Sequence, residues 1–146
     1  DFIGLNYYSH YNLSFNFDLE KAFENKPLAH EISTDMEYSQ YPEGFYRAAK
    51  RVASLGVPIV VTENGIADAS DQYRGLFIRR YLYSLSRARE EGVDIRGYYY
   101  WSLMDNFEWS SGYDMKFGLY ENDAETQQRK LRKGAETFQE IIRLND

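Results

Sequence analysis

The sequence predicts an α/β fold built from three consecutive βα units with parallel strands, and three observations predict it. A short, apolar, β-rich run occurs three times, at Phe2–Tyr8, Val57–Glu63 and about Ile95–Trp101. Each run leads through a polar loop into a stretch whose apolar residues return at helical spacing. The polar and aromatic residues of chemical interest gather at the C-terminal ends of the runs, where parallel α/β sheets carry their sites.

The elements follow in chain order. After Phe2–Tyr8 comes a long polar loop to about Tyr41, with no strong periodic signal and room for a hairpin or a short helix. Pro42 suits the first turn of the next helix and Gly56 its C-terminal stop. Val57–Glu63 is almost wholly β-branched and apolar, the pattern of a strand buried on both faces, and it ends at the turn dipeptide Asn64-Gly65. A long helix is expected to start with Asp71 as its N-cap, to bury Tyr73, Phe77, Tyr81, Leu85 and Ala88, and to stop at Gly92. After the third strand and a loop through about Thr126, a last helix would turn Leu131, Ala135, Phe138 and Ile142 inward.

A chain of 146 residues can build one unit with a real core, so residues 1–146 read as a single folding unit. The net charge of -6 and the absence of a Lys/Arg block argue against nucleic-acid and acidic-membrane partners. With no cysteine and two histidines, disulfide frameworks and thiolate or histidine metal clusters are excluded. No apolar run approaches the ~20 residues that span a bilayer. A soluble protein is expected, cytoplasmic rather than secreted. Asp1 leads directly into a strand with no initiator Met, which reads as a chain cut from something longer.

Strands joined by helical crossovers form right-handed parallel sheets that need both faces covered. Three strands cannot do that alone. The chain is therefore either part of a closed (β/α)₈ barrel, typically about 250 residues, or it finds a partner for two open edges.

The runs Asp1-Phe-Ile-Gly-Leu-Asn-Tyr-Tyr-Ser9, Val61-Thr-Glu-Asn-Gly65 and Tyr100-Trp-Ser-Leu-Met-Asp-Asn-Phe-Glu-Trp109 carry the most specific information. With Gly112-Tyr113 and Lys116-Phe-Gly-Leu119 they resemble glycoside hydrolase family 1 β-glycosidases. The resemblance covers essentially the whole chain and implies the C-terminal part of a TIM barrel, strands six to eight. It implies Glu63 as the catalytic nucleophile, with Asn6 and Tyr8 hydrogen-bonding around it. It implies Trp101 as a sugar-stacking face, Glu108 and Trp109 as the grip on the hydroxyls of the non-reducing sugar, and Phe117 as an apolar wall.

These roles make chemical sense. A carboxylate can attack an anomeric carbon and leave again, splitting hydrolysis into two steps through a glycosyl-enzyme. A tyrosine hydroxyl would orient that carboxylate. An ionised glutamate accepts from two neighbouring sugar hydroxyls, and an indole N–H donates to a third. Taken singly, each residue reads otherwise: Glu63 as a solvated strand-end glutamate, Trp101 and Trp109 as ordinary aromatics, His10 as a loop residue, Lys116 as a loop charge. Asp105 and Asn106 are expected to shape the turn that presents Glu108.

The family's acid/base glutamate, in an Asn-Glu-Pro motif, has no counterpart, since Glu24-Asn25-Lys26-Pro27 does not match. Met36 to Tyr41 also lacks a tryptophan that many members place there. Two readings follow: one piece of a retaining β-glycosidase for non-phosphorylated β-glucosides, galactosides or fucosides, completed by the missing N-terminal barrel portion, or a non-catalytic barrel fragment that assembles with a partner chain or itself. No cofactor is implied, because the two-carboxylate mechanism uses none.

Overall fold

The computed structural model describes residues 1–15, 17, 23–25 and 28–145. Its centre is a three-stranded parallel sheet of β1 (Ile3–Asn6), β4 (Ile59–Asn64) and β5 (Ile95–Tyr100) in the order β1-β4-β5. Each strand feeds a helix: α1 (Pro42–Ala53), α2 (Arg74–Glu90) and α3 (Glu136–Asn145). Between β1 and α1 the long loop holds an antiparallel pair, β2 (Leu13–Phe15) with β3 (Phe23–Asn25), so the hairpin option holds there. A second pair, β6 (Tyr120–Asn122) with β7 (Arg129–Leu131), occupies what the sequence reads as plain loop.

The strand order never reverses, which leaves all three helices on one face of the sheet. Phe45, Ala49, Phe77, Ile78, Tyr81 and Ala88 are fully buried from the helix side, against Ile59 and Val61 from β4. The expectation that β4 is buried on both faces fails. Val57 lies outside the strand and is exposed, and Thr62 is exposed on the face away from the helices. Gly4 and Tyr99 share that uncovered side with it. In a (β/α)₈ barrel this inner face is filled by side chains from the other strands.

Helix boundaries follow local chemistry with one correction. Pro42 begins α1, where a missing N–H costs nothing. Asp71 does not cap α2: it has a left-handed backbone (φ 57), and the Asp68 carboxylate instead accepts from the N–H groups of Tyr73 and Arg74 at 2.8 and 2.9 Å. Tyr73, at 38% exposure, also drops out of the buried stripe, while Phe77, Tyr81, Leu85 and Ala88 form it. Gly92 ends the helix with φ +90, a conformation a side chain would strain. In the last unit Leu131 belongs to β7 and Ile142 points outward, so Ala135, Phe138 and Ile141 make the inner contact.

Candidate active site

The C-terminal ends of β1, β4 and β5 open into one cleft of about 430 Å³. Glu63, one residue before the end of β4, lies in it. The turn beyond is held by close packing: a Cβ on Gly65 would sit 1.7 Å from the Trp101 carbonyl oxygen, so only glycine lets the ends of β4 and β5 approach this way. Asn64, fully buried, donates to the Tyr7 carbonyl at 2.6 Å and accepts from the Tyr98 hydroxyl at 2.9 Å, fixing the strand end from both sides.

Tyr8, just past β1, donates its hydroxyl to Glu63 Oε2 at 2.8 Å. Burial, then the hydrogen bond to Glu63 and its charge, push the Tyr8 phenol far above its ordinary pKa, so it remains a donor across the working pH range. Phe117, 4% exposed, meets the Tyr8 ring edge-on with centroids 6.2 Å apart. Trp101 continues from β5, its N–H on the Asn64 carbonyl at 2.9 Å and its peptide bond to Ser102 cis. Glu108 and Trp109 complete the wall, Trp109 with a left-handed backbone and 81% exposure. Glu108 Oε2 is buried without a hydrogen-bond partner among the described residues.

The loop carrying Glu108 is anchored from below. Asp105 accepts from the Gly118 N–H at 2.9 Å and pairs with Arg132 at 2.6 Å, both side chains being buried. This is the turn-shaping role expected of Asp105. Asn106 donates to the Met104 carbonyl at 3.4 Å.

Of the predicted residues the cleft brings together Glu63, Tyr8, Trp101, Glu108, Trp109 and Phe117, but not Asn6. Asn6 is in register with Glu63 across the β1–β4 ladder, yet its carboxamide oxygen takes the Thr62 hydroxyl at 2.6 Å, on the open face of the sheet. The ladder shifts register between Leu5 and Asn6, skipping Thr62, so adjacency to Glu63 does not become a side-chain contact. Lys116 lies outside the cleft with its ammonium on the Tyr113 carbonyl at 2.7 Å. His10 pairs with Glu31 at 2.9 Å and stacks edge-on against Tyr41.

Sequence reasoning missed Ser9, Tyr11, Met36 and Tyr38, which close the cleft from the loop before α1. Burial and the nearby Glu108 charge raise the Tyr38 hydroxyl's pKa, so it too stays neutral. Its signal was its place in the Met36 to Tyr41 segment, already noted for its missing tryptophan. Among the described residues no three His, Asp or Glu side chains converge as metal ligands, and no helix is long and apolar enough to cross a membrane.

Residues 1–146 match the sequence profile described as Glycosyl hydrolase family 1. A β-galactosidase of Sulfolobus acidocaldarius is 37% identical over 99% of this chain and 32% of its own length. β-Glucosidase A of Acetivibrio thermocellus is 34% identical over 99% of this chain and 35% of its own. The solved β-glycosidase from Pyrococcus horikoshii superposes with a TM-score of 0.86 at 43% identity, covering 98% of this chain and 34% of that one. The chain thus spans about a third of the length of these relatives, and its three βα units are part of a (β/α)₈ barrel.

Proposed function

Because the chain belongs to glycosyl hydrolase family 1, we propose that it supplies the nucleophile side of a retaining β-glycosidase site, with Glu63 as the nucleophile and residues 1–146 as one unit of the barrel. The observation that carries this reading is the Tyr8 hydroxyl on Glu63 Oε2 at 2.8 Å, inside a cleft walled by Trp101, Glu108, Trp109 and Phe117.

Glu63 attacks the anomeric carbon as the glycosidic bond breaks and the leaving oxygen takes a proton from the acid/base partner. That partner sits on the remaining barrel strands, about 5–5.5 Å from Glu63 as retention requires. Water then displaces Glu63 and restores the carboxylate. Trp101 stacks on the C–H face of the sugar. Glu108 accepts from two adjacent hydroxyls, which supplies the partners its buried oxygen lacks, and Trp109 donates to another. Phe117 backs the ring, and a soluble, cytoplasmic setting belongs to the same reading.

The substrate class is a non-phosphorylated β-glucoside first, with galactosides and fucosides next, since a carboxylate bridging neighbouring hydroxyls accepts either configuration. A 6-phosphate would face Glu108 at a cost on the order of a few kcal/mol, and Lys116 is turned away to Tyr113. The test compares kcat/KM of the completed barrel for an aryl β-glucoside and its 6-phospho analogue, before and after Glu108→Ser. The wild type should prefer the plain glucoside, and Glu108→Ser should narrow the gap. Preference of the wild type for the phosphorylated sugar would remove the assignment of Glu108.

A second reading, a barrel fragment that assembles without turnover of its own, is favoured by the uncovered sheet face around Thr62 and Tyr99. Native mass together with turnover separates the two.

A further inference from the structure

Arg74, the first residue of α2, has no exposed surface and makes hydrogen bonds to six acceptors. Its Nε donates to Asp71 Oδ1 at 2.9 Å. Its Nη1 reaches the carbonyls of Ile66 and Phe117, both at 3.1 Å, and the Tyr100 hydroxyl at 2.9 Å. Its Nη2 reaches the carbonyls of Asp68 at 2.7 Å and Lys116 at 2.9 Å. One side chain therefore ties together the loop after β4, the end of β5 and the segment that carries Phe117.

A buried guanidinium is an expensive way to hold a helix terminus, because taking a charge out of water costs several kcal/mol that only a full set of partners recovers. A helix start needs no such group, and Asp68 already caps this one. What the planar fork supplies is geometry, since its N–H groups diverge at fixed angles toward oxygens on separate segments. Those segments bear on the cleft. Phe117, whose carbonyl Arg74 holds, packs on Tyr8, and Tyr8 holds Glu63. Tyr100, whose hydroxyl Arg74 also holds, directly precedes Trp101. Resting on the function proposed above, we infer that Arg74 is a positioning residue for the reaction: from outside the cleft it sets where Phe117, and through it Tyr8, stand relative to Glu63.

The test uses the completed barrel and three variants. Arg74→Lys keeps the charge but replaces the planar fork with a single nitrogen. Leu85→Ala, lower on the same helix, removes core packing without touching the three anchored segments. At a temperature where all are folded by circular dichroism, Arg74→Lys should lose roughly tenfold or more in kcat with a smaller change in KM, as expected when reacting groups are displaced by about an ångström. Leu85→Ala should keep kcat while losing at least as much in Tm. A wild-type kcat in Arg74→Lys, or an equal kcat loss in Leu85→Ala, overturns the inference. If Arg74→Lys does not fold, Tyr100→Phe decides, since removing that one acceptor should lower kcat in the same sense, and an unchanged kcat refutes the claim. If the wild-type barrel turns over no aryl β-glycoside, the proposed function fails by itself. The crystal structure of Arg74→Lys then decides separately: the Phe117 ring should shift away from Tyr8, and an unmoved ring contradicts the inference.

Discussion

Replacing Tyr8 with phenylalanine removes a single oxygen, and its effect should fall unevenly on the two halves of the reaction. The Tyr8 hydroxyl is 2.8 Å from Glu63 Oε2 and burial keeps it protonated. A hydrogen bond to a charged group contributes about 1.5–3 kcal/mol. In the proposed mechanism Glu63 gives up its charge during glycosylation, so losing the donor removes orientation while leaving a less stabilised, more reactive carboxylate. During deglycosylation the charge returns to Glu63, and the donor lowers that barrier. Only part of the charge has formed at the transition state, and the cleft is open to solvent, so about half of the bond's worth applies. That is ~0.75–1.5 kcal/mol, or roughly a four- to twelvefold loss in kcat. The assay is stopped-flow release of an activated aryl leaving group from the completed barrel, with deglycosylation limiting. Tyr8→Phe should show a full initial burst, a kcat reduced by that factor and a kcat/KM within about twofold of wild type. A kcat that stays at the wild-type value, or a kcat/KM that falls as far as kcat, would refute the assignment of Tyr8 to the returning carboxylate.

Three further outcomes follow. The chain alone should self-associate or lose cooperative unfolding, because β1 and β5 have open edges and Tyr99 and Thr62 lie on an uncovered face; sedimentation of a sharp, cooperatively unfolding monomer would count against this. Asp105→Ala should cost about 3–5 kcal/mol in chemical denaturation, since it strands the buried Arg132 without its partner, and a loss below about 1 kcal/mol would show that the pair is not a support. Burial raises the pKa of Tyr8, Tyr38, Tyr81, Tyr98 and Tyr100 in the folded chain. Above about pH 10 the unfolded state then holds fewer protons than the folded one, and stability falls as pH rises. Phenolate absorbance of these groups should appear together with loss of circular dichroism; full ionisation before unfolding would contradict the burial.

The βα alternation was legible because Val57–Glu63 is a short, β-branched apolar run ended by Asn64-Gly65 and the Phe77–Ala88 stripe returns at helical spacing. The β6–β7 pair was not, since Tyr120–Asn122 and Arg129–Leu131 are three residues each and too short to show alternation. Asp71 was chosen as a cap by nearness to the helix, whereas Asp68 reaches the same N–H groups from five and six residues away through a folded loop. The cleft gathers Tyr8, Glu63, Trp101, Glu108, Trp109 and Phe117 from the three motifs, while the Asn6 side chain, beside Glu63 in the ladder, meets Thr62 across a shift in register that no sequence pattern marks. Arg74 escaped notice since arginines are almost always exposed, and nothing local marks one that will receive six acceptors from three segments.

The central claim is that Glu63 becomes covalently attached to the sugar. A 2-deoxy-2-fluoro β-glucoside with an activated aryl leaving group should trap that intermediate in the completed barrel. Digestion and mass spectrometry should then find one fluoroglycosyl group per site on the peptide containing Val61-Thr-Glu-Asn-Gly65, at Glu63. A label on Glu108 or any other residue would contradict the account.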